Sequence, residues 1–183
     1  VRPSLYLAGF QARTFHGPGR KLCAMALPRR WEHGDGRVAV AAPFEDDLRA
    51  VQATGDLAAY RAACERRWQT FAELGRFERD RFRCVVHADP GPRPTQSPVV
   101  DGDTLFCACA APDSPRWKHP CHLEILAPFL VRAGWDVVLW GRRIEWTCPD
   151  VFYSPESERA VYADTGETYD PATYGWPNAE TTT

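Results

Sequence analysis

Apolar residues occupy nearly every position of Ser4–Phe10, "SLYLAGF", the pattern of a strand buried on both faces. Gly9 marks its exit into a polar, Gly-rich loop, "QARTFHGPGR". "KLCAMALP" predicts a second strand ended by Pro28. "RRWEHGDGRVAVAAP" holds a Gly-Asp-Gly turn and then a short apolar run, a further strand. Pro43 opens a short helix through "FEDDLRAVQ", with its acids in the first turn where the helix dipole favours them, and Gly55 closes it. Asp56 caps a longer helix. There Leu57, Tyr60, Cys64, Trp68, Phe71 and Leu74 recur at spacings of 3, 4, 4, 3 and 3, a single amphipathic stripe. Cys64 lies on that stripe and reads as core.

The second half has a clearer order. "RDRFRCVVHA" alternates as a strand does at Phe82, Cys84 and Val86, although a helix continuing through Gly75 fits the same residues. "DPGPRPTQSP" reads as a proline-rich loop and a mobile flap. After a turn at Asp101-Gly102, "DTLFCACA" predicts a strand, "APDSPRWKHP" a loop, "CHLEILAPFLVRAG" a helix ended by Gly134, and "WDVVLWG" another strand. Strand, loop, helix and strand at these lengths make a βαβ unit, so the two strands are expected to be parallel. Pro128 removes one helical hydrogen bond and releases the carbonyl of Glu124, which predicts a kink or a restarted helix. "IEWTC" reads as an edge strand. Beyond it Phe152, Tyr153, Tyr162, Tyr169, Tyr174 and Trp176 are too aromatic for a disordered tail, so the segment is expected to lie over the body as an extended strap. The pattern predicts an α/β protein with an open, Rossmann-like, mostly parallel sheet flanked by helices. One domain spans residues 1–154, and an acidic, aromatic-containing, irregular extension spans 155–183.

Composition narrows the function classes. A chain of 183 residues with 44% hydrophobic and 25% charged residues can bury a proper core. No apolar run approaches the ~20 residues that span a bilayer, and the first residues lack the apolar segment of a signal peptide. Seven cysteines, an odd number without a regular framework, fit a reducing compartment. The expectation is a cytoplasmic protein. Residues 155–183 carry six acids against Arg159, a charge of −5 that leaves +3 elsewhere in a chain of net −2. Such a body permits an anionic ligand and lacks the strongly basic face of a nucleic-acid-binding domain.

Candidate chemistry concentrates between Leu105 and Leu130. Cys107 and Cys109 stand two apart on a strand, facing one side near its carboxyl end. Cys121 and His122 start the following helix. In parallel α/β sheets ligands bind at that junction, where the helix offers unpaired N–H groups. Three readings stay open. Cys107, Cys109, Cys121 and His122 complete a four-ligand zinc set, with His119 as a substitute, although C-x-C beside an adjacent Cys-His pair departs from the usual spacing. Alternatively Cys121, at a helix N-terminus near Lys118 and His122, is a reactive thiolate, fit for nucleophilic catalysis or for redox exchange with Cys109. Or the cysteines are small core residues, which explains Cys107 and Cys109 better than it explains Cys121-His122.

Glu124, in the first helical turn, points toward the same crevice as a base or nucleophile. Tyr6, Gly9 and Phe10, with Phe15, border the exit of the first strand and could stack on a base. "FHGPGR", with Arg13, Arg20 and Lys21 nearby, offers a phosphate nest but matches neither G-x-G-x-x-G nor the P-loop. "RRWEH" adds Arg29, Arg30 and His33 on a surface. No Ser-His-Asp arrangement, H-E-x-x-H or zinc-deaminase signature is present.

From "LYLAGF" through Cys107, Cys109 and Cys121-His122 to "AGWDVVLWG", the chain resembles a family of small bacterial and phage proteins without an established activity. Its members open on an "IYTIGY"-like strand and close with an "LLCYC"-type strand, a Cys-His-Arg helix start and a final strand. Leu123 stands where that family carries a basic residue. The resemblance spans most of residues 4–141 and implies an open α/β fold. A fainter one is to nucleoside deoxyribosyltransferases, whose first strand often reads "YLAG" and whose catalytic Glu sits on a helix before a strand, as Glu124 does. Their Asp-Ser/Gly-rich approach to that Glu is missing here.

Together these readings give one expectation: a protein that binds a small anionic or nucleoside-type ligand at a crevice of Tyr6, Gly9, Phe10, Cys107, Cys109, Cys121, His122 and Glu124, and acts on it. The rivals are a non-catalytic interaction module stapled by zinc or packing, and a thiol redox protein.

Overall fold

In the computed structural model, which describes residues 1–26, 34–86, 94–108, 121–147 and 158–169, the apolar N-terminal run forms the central strand β1 (Ser4–Gly9). The strands that follow are β2 (Lys21–Cys23), β3 (Gly36–Arg37), β4 (Arg83–Val86), β5 (Thr95–Pro98), β6 (Thr104–Cys107), β7 (Asp136–Leu139), β8 (Arg142–Thr147) and β9 (Arg159–Tyr162). They make one open mixed sheet in the order β5-β4-β3-β2-β6-β1-β7-β8-β9. The five central strands, β3 to β7 in that order, run parallel to one another. Two antiparallel strands extend each side. The protein is thus α/β with a parallel centre, and the parallel character expected of the whole sheet stops at β3 and β7.

The strand, helix, strand reading is met by β6, α3 (His122–Arg132) and β7. Both strands are parallel to β1, which lies between them. Register carries the facing. Leu5 pairs with Val137, Leu7 with Leu105 and Leu139, and Gly9 with Cys107, so these residues share one face. Cys121, preceding α3, touches Cys107 on that face. The opposite face carries Tyr6, against which Gly17 of the β1–β2 connection lies so flat that a Cβ there would fall 2.2 Å from the Tyr6 ring. Two connections therefore leave the centre in opposite directions: β1 to β2 crosses β6 on one face, and β6 to β7 crosses β1 on the other. Right-handed crossovers require that arrangement.

Helix α1 (Glu45–Thr54) starts with Glu45, Asp46 and Asp47 and ends at Gly55. In α2 (Leu57–Glu73) the Asp56 side chain caps the Ala59 N–H at 2.9 Å, and Tyr60, Cys64 and Trp68 are buried as the stripe predicts. Leu74, the last residue of the stripe, is 55% exposed because the helix has ended there. Helix α2 packs between α1 and α3. Trp68 and Trp135 are fully buried, and each indole N–H finds a carbonyl, of Val40 at 3.1 Å and Phe77 at 2.8 Å. None of the helices among the described residues is long and apolar enough to cross a membrane.

Several boundaries differ from expectation. Within "RDRFRCVVHA", Arg83–Val86 form a strand, β4. Thr95–Pro98, read as part of a flap, pairs with β4 as an edge strand; Pro98 is tolerated there because an edge leaves one side of the ladder unused. The remainder of that flap falls partly outside the described residues, as do Cys109, the loop 111–120, Cys148, and Phe152, Tyr153, Tyr174 and Trp176 of the strap. Segment 144–148 was expected to be the edge, but β8 begins at Arg142 and is covered by β9. The strap thus contributes a regular strand. Its Tyr162 and Tyr169 stack edge to face with centroids 5.4 Å apart. Pro128 lies inside a continuous α3, and the Tyr169 hydroxyl donates to the Glu124 carbonyl at 2.6 Å, filling the acceptor that proline leaves open.

Candidate functional site at the carboxyl edge of the sheet

In open α/β sheets ligands bind at the carboxyl ends of neighbouring strands whose connections leave in opposite directions, and here those strands are β1 and β6. Helix α3 begins at that edge. Successive helical residues diverge by about 100°, and the first turn spreads its side chains along three strands. Cys121 reaches the end of β6, its Sγ 2.8 Å from Cys107 Sγ. His122 reaches past the end of β2, its Nε2 2.7 Å from the Ala24 carbonyl. Glu124 reaches beyond β7, where its Oε1 accepts from Trp140 Nε1 at 3.3 Å.

All four residues are enclosed. Cys121 and Glu124 are 0% exposed, Cys107 1% and His122 6%. A carbonyl can only accept, so Nε2 of His122 donates this bond. The imidazole ring lies 6.3 Å from the Trp68 ring, so one side of it is packed by α2. Glu124 sits in the first turn of α3, where the helix dipole offsets part of the cost of burying a carboxylate.

Trp140, not singled out in the sequence, is the least ordinary backbone position at this edge. It has φ 50°, followed by Gly141 at φ 80°, and the pair forms the two-residue turn between β7 and β8. Such turns require positive φ at both positions and favour Asn-Gly. A tryptophan there is strained, by ~1–3 kcal/mol. Its indole fills the space between Glu124 and Phe15, whose ring it meets edge-on at 6.2 Å. The legible signal was an aromatic-Gly pair directly after an apolar strand. His16 was likewise passed over. It lies in the Gly-rich loop and its Nε2 contacts the Gly9 carbonyl at 2.9 Å.

Of the other expected residues, Gly9 pairs with Cys107, and the Phe10 N–H donates to the Cys107 carbonyl at 2.6 Å. The Phe10 ring stands 5.3 Å from that of Phe106. Tyr6 is further from the edge, on the face covered by the β1–β2 connection. Arg20 is occupied at the opposite, amino end of the parallel strands. There it pairs with the buried Asp103 at 2.6 Å and bonds Ser97 and the Pro98 carbonyl, while Lys21 bonds the Gly17 carbonyl. Asp103 holds the Arg20 guanidinium above its ordinary pKa, partly opposed by burial.

The structure brings Cys107 and Cys121 together; Cys109 lies outside the described residues. Among the described residues no group of three or more potential ligands is placed to hold a metal. Two thiolates on one tetrahedral zinc stand ~3.8 Å apart at Zn–S distances of about 2.3 Å, wider than the 2.8 Å observed. Away from the site, burial pushes the Cys64 thiol up to about 12 and raises that of Cys84. No family model matches the chain, and neither does any curated protein or solved structure.

Proposed function

We propose that the chain binds a small anionic or nucleoside-type ligand at the carboxyl edge of β1 and β6, and acts on it with Glu124 as base, His122 as acid or base and Cys121 as thiolate. One observation carries this reading: a buried carboxylate and an imidazole occupy the first turn of α3 where connections leave two adjacent parallel strands in opposite directions. In doubly wound, Rossmann-like sheets that place is the ligand crevice. The first helical turn presents N–H groups to an anion, and Phe10 at the end of β1 supplies a face for a base. The strained Trp140 holds the carboxylate of Glu124 in one orientation.

The test is a thermal-shift and calorimetric screen of the reduced protein with nucleosides, nucleotides and their phosphates. At least one is expected to bind, and Glu124→Gln to weaken it by tenfold or more. A screen without binders, or a Glu124→Gln variant that binds equally well, overturns the proposal.

The enclosure of Cys107, Cys121, His122 and Glu124 favours a second reading, a non-catalytic interaction module in which packing or zinc closes the loop 110–120. Metal analysis after purification without chelator, together with thiol counting, separates the two. One zinc per chain protecting three thiols supports the module.

A further inference from the structure

Two sulfurs meet where β6 ends and α3 begins, and both are held by backbone. Cys107 is fixed by parallel pairing with Gly9 and by the Phe10 N–H on its carbonyl. Cys121 is the residue before α3, its carbonyl accepting from the Glu124 N–H at 2.9 Å. We propose that Cys107 and Cys121 form a redox-active dithiol that a hydroperoxide oxidises to an intramolecular disulfide. The proposal goes beyond ligand binding at the crevice and does not depend on it.

Geometry is the first support. The sulfurs are 2.8 Å apart and need to close by less than ~1 Å to reach the covalent distance of about 2.05 Å. Chemistry is the second. Cys121 stands at a helix N-terminus, whose partial positive charge offsets part of the burial cost of a thiolate. Cys64 and Cys84 lie on α2 and β4, away from this edge. Access is the third. Both sulfur-bearing residues are enclosed, but Ala108, next to Cys107, is exposed, which places the pair just beneath the surface. A small neutral peroxide suits such a site better than a bulky disulfide reagent.

The steps balance. The Cys121 thiolate attacks one peroxide oxygen, the O–O bond breaks, and the sulfur becomes a sulfenic acid while water or an alcohol departs with the proton. The Cys107 sulfur then attacks the sulfenic sulfur. The S–S bond forms, the S–O bond breaks, and a second molecule leaves as water. Two electrons pass from the two thiols to one peroxide, and a dithiol reductant returns them.

The sequence alone pointed to Cys109 as the redox partner of Cys121, so the experiment must tell Cys107 from Cys109. Folded full-length protein, its Cys109→Ser variant and its Cys107→Ser variant are treated with stoichiometric hydrogen peroxide. They are then denatured, alkylated and weighed before and after trypsin. Arg116 and Lys118 lie between the two positions, so a link joins separate tryptic peptides. Wild type and Cys109→Ser are each expected to lose two alkylatable thiols and about 2 Da, to show the cross-linked peptide pair, and to recover both thiols in dithiothreitol. Cys107→Ser is expected to lose the link and to accumulate oxidised Cys121. A link present in wild type but absent from Cys109→Ser overturns the assignment, as does wild-type protein that keeps all its thiols. The Cys109→Ser result decides the matter even if Cys107→Ser does not fold. Ligand binding measured in reduced protein tests the crevice separately.

Discussion

Cys64 shows how one buried thiol can set the alkaline limit of stability. Desolvation on the inner face of α2 raises its pKa from 9.0 to about 12, with a smaller opposing effect from a hydrogen bond to Tyr60. The raised value belongs to the folded state. Its contribution is therefore fully present below pH 9, and it is lost as pH rises from about 9 to about 12, where only the unfolded chain can ionise. In that window unfolding free energy should fall by up to about 1.4 kcal/mol per pH unit from this group. Urea titrations of wild type and Cys64→Ala between pH 8 and 11 check this, and the variant's curve should be flatter. At residue scale, a second expectation concerns Tyr169. Removing its hydroxyl strands a buried carbonyl of Glu124, so Tyr169→Phe should cost about 1–3 kcal/mol in chemical denaturation.

That hydroxyl also links two elements. Pro128 withholds the amide that would otherwise bond Glu124, and a tyrosine from beyond β9 supplies the donor instead. Pro128→Ala restores the helical amide, so the two donors compete for one carbonyl. A double-mutant cycle should show Tyr169→Phe costing less in the Pro128→Ala background, with a coupling energy of about 1 kcal/mol. Coupling near zero would separate the two features. The β7–β8 turn offers a different contest. Trp140→Asn gives the turn its preferred Asn-Gly pair and relieves ~1–3 kcal/mol of strain. It also discards a buried aromatic, a loss of about 3–5 kcal/mol for such residues. Burial should win, with a net destabilisation of about 2 kcal/mol. The same change removes the indole donor to Glu124, so ligand affinity should fall with it.

Local pattern reads out local structure, and the protein divides along that line. The α2 stripe, the Asp56 cap, β1 and the β6-α3-β7 unit were legible because spacing, caps and turn residues act within a few positions. The freed Glu124 carbonyl was legible from Pro128, but its partner lies 45 residues away and nothing local names it. Likewise β5 hides in a Pro-rich segment because an edge strand needs no apolar alternation, and the antiparallel flanks depend on pairings between distant segments. At the candidate site, sequence located the edge and the helix start. It could not tell that Cys121, His122 and Glu124 fan out to three different strands, since that depends on where β2, β6 and β7 fall in the sheet. Whole-molecule stability carries a further prediction. A Cys107–Cys121 bond closes a loop of 15 residues, worth about 3 kcal/mol through the unfolded chain. Oxidised protein should unfold at correspondingly higher denaturant concentration than reduced protein.

Strand β1 is made well before its partners, for Tyr6 finds its neighbours at Thr104 on one side and Val138 on the other. A growing polypeptide therefore carries an apolar, unzipped ribbon until β6 and β7 have been synthesised. Closure of so distant a ladder is slow, and ribbons of this kind stick to one another. Synthesis of this protein should thus depend on chaperone capacity, with yield governed by how long β1 stays shielded.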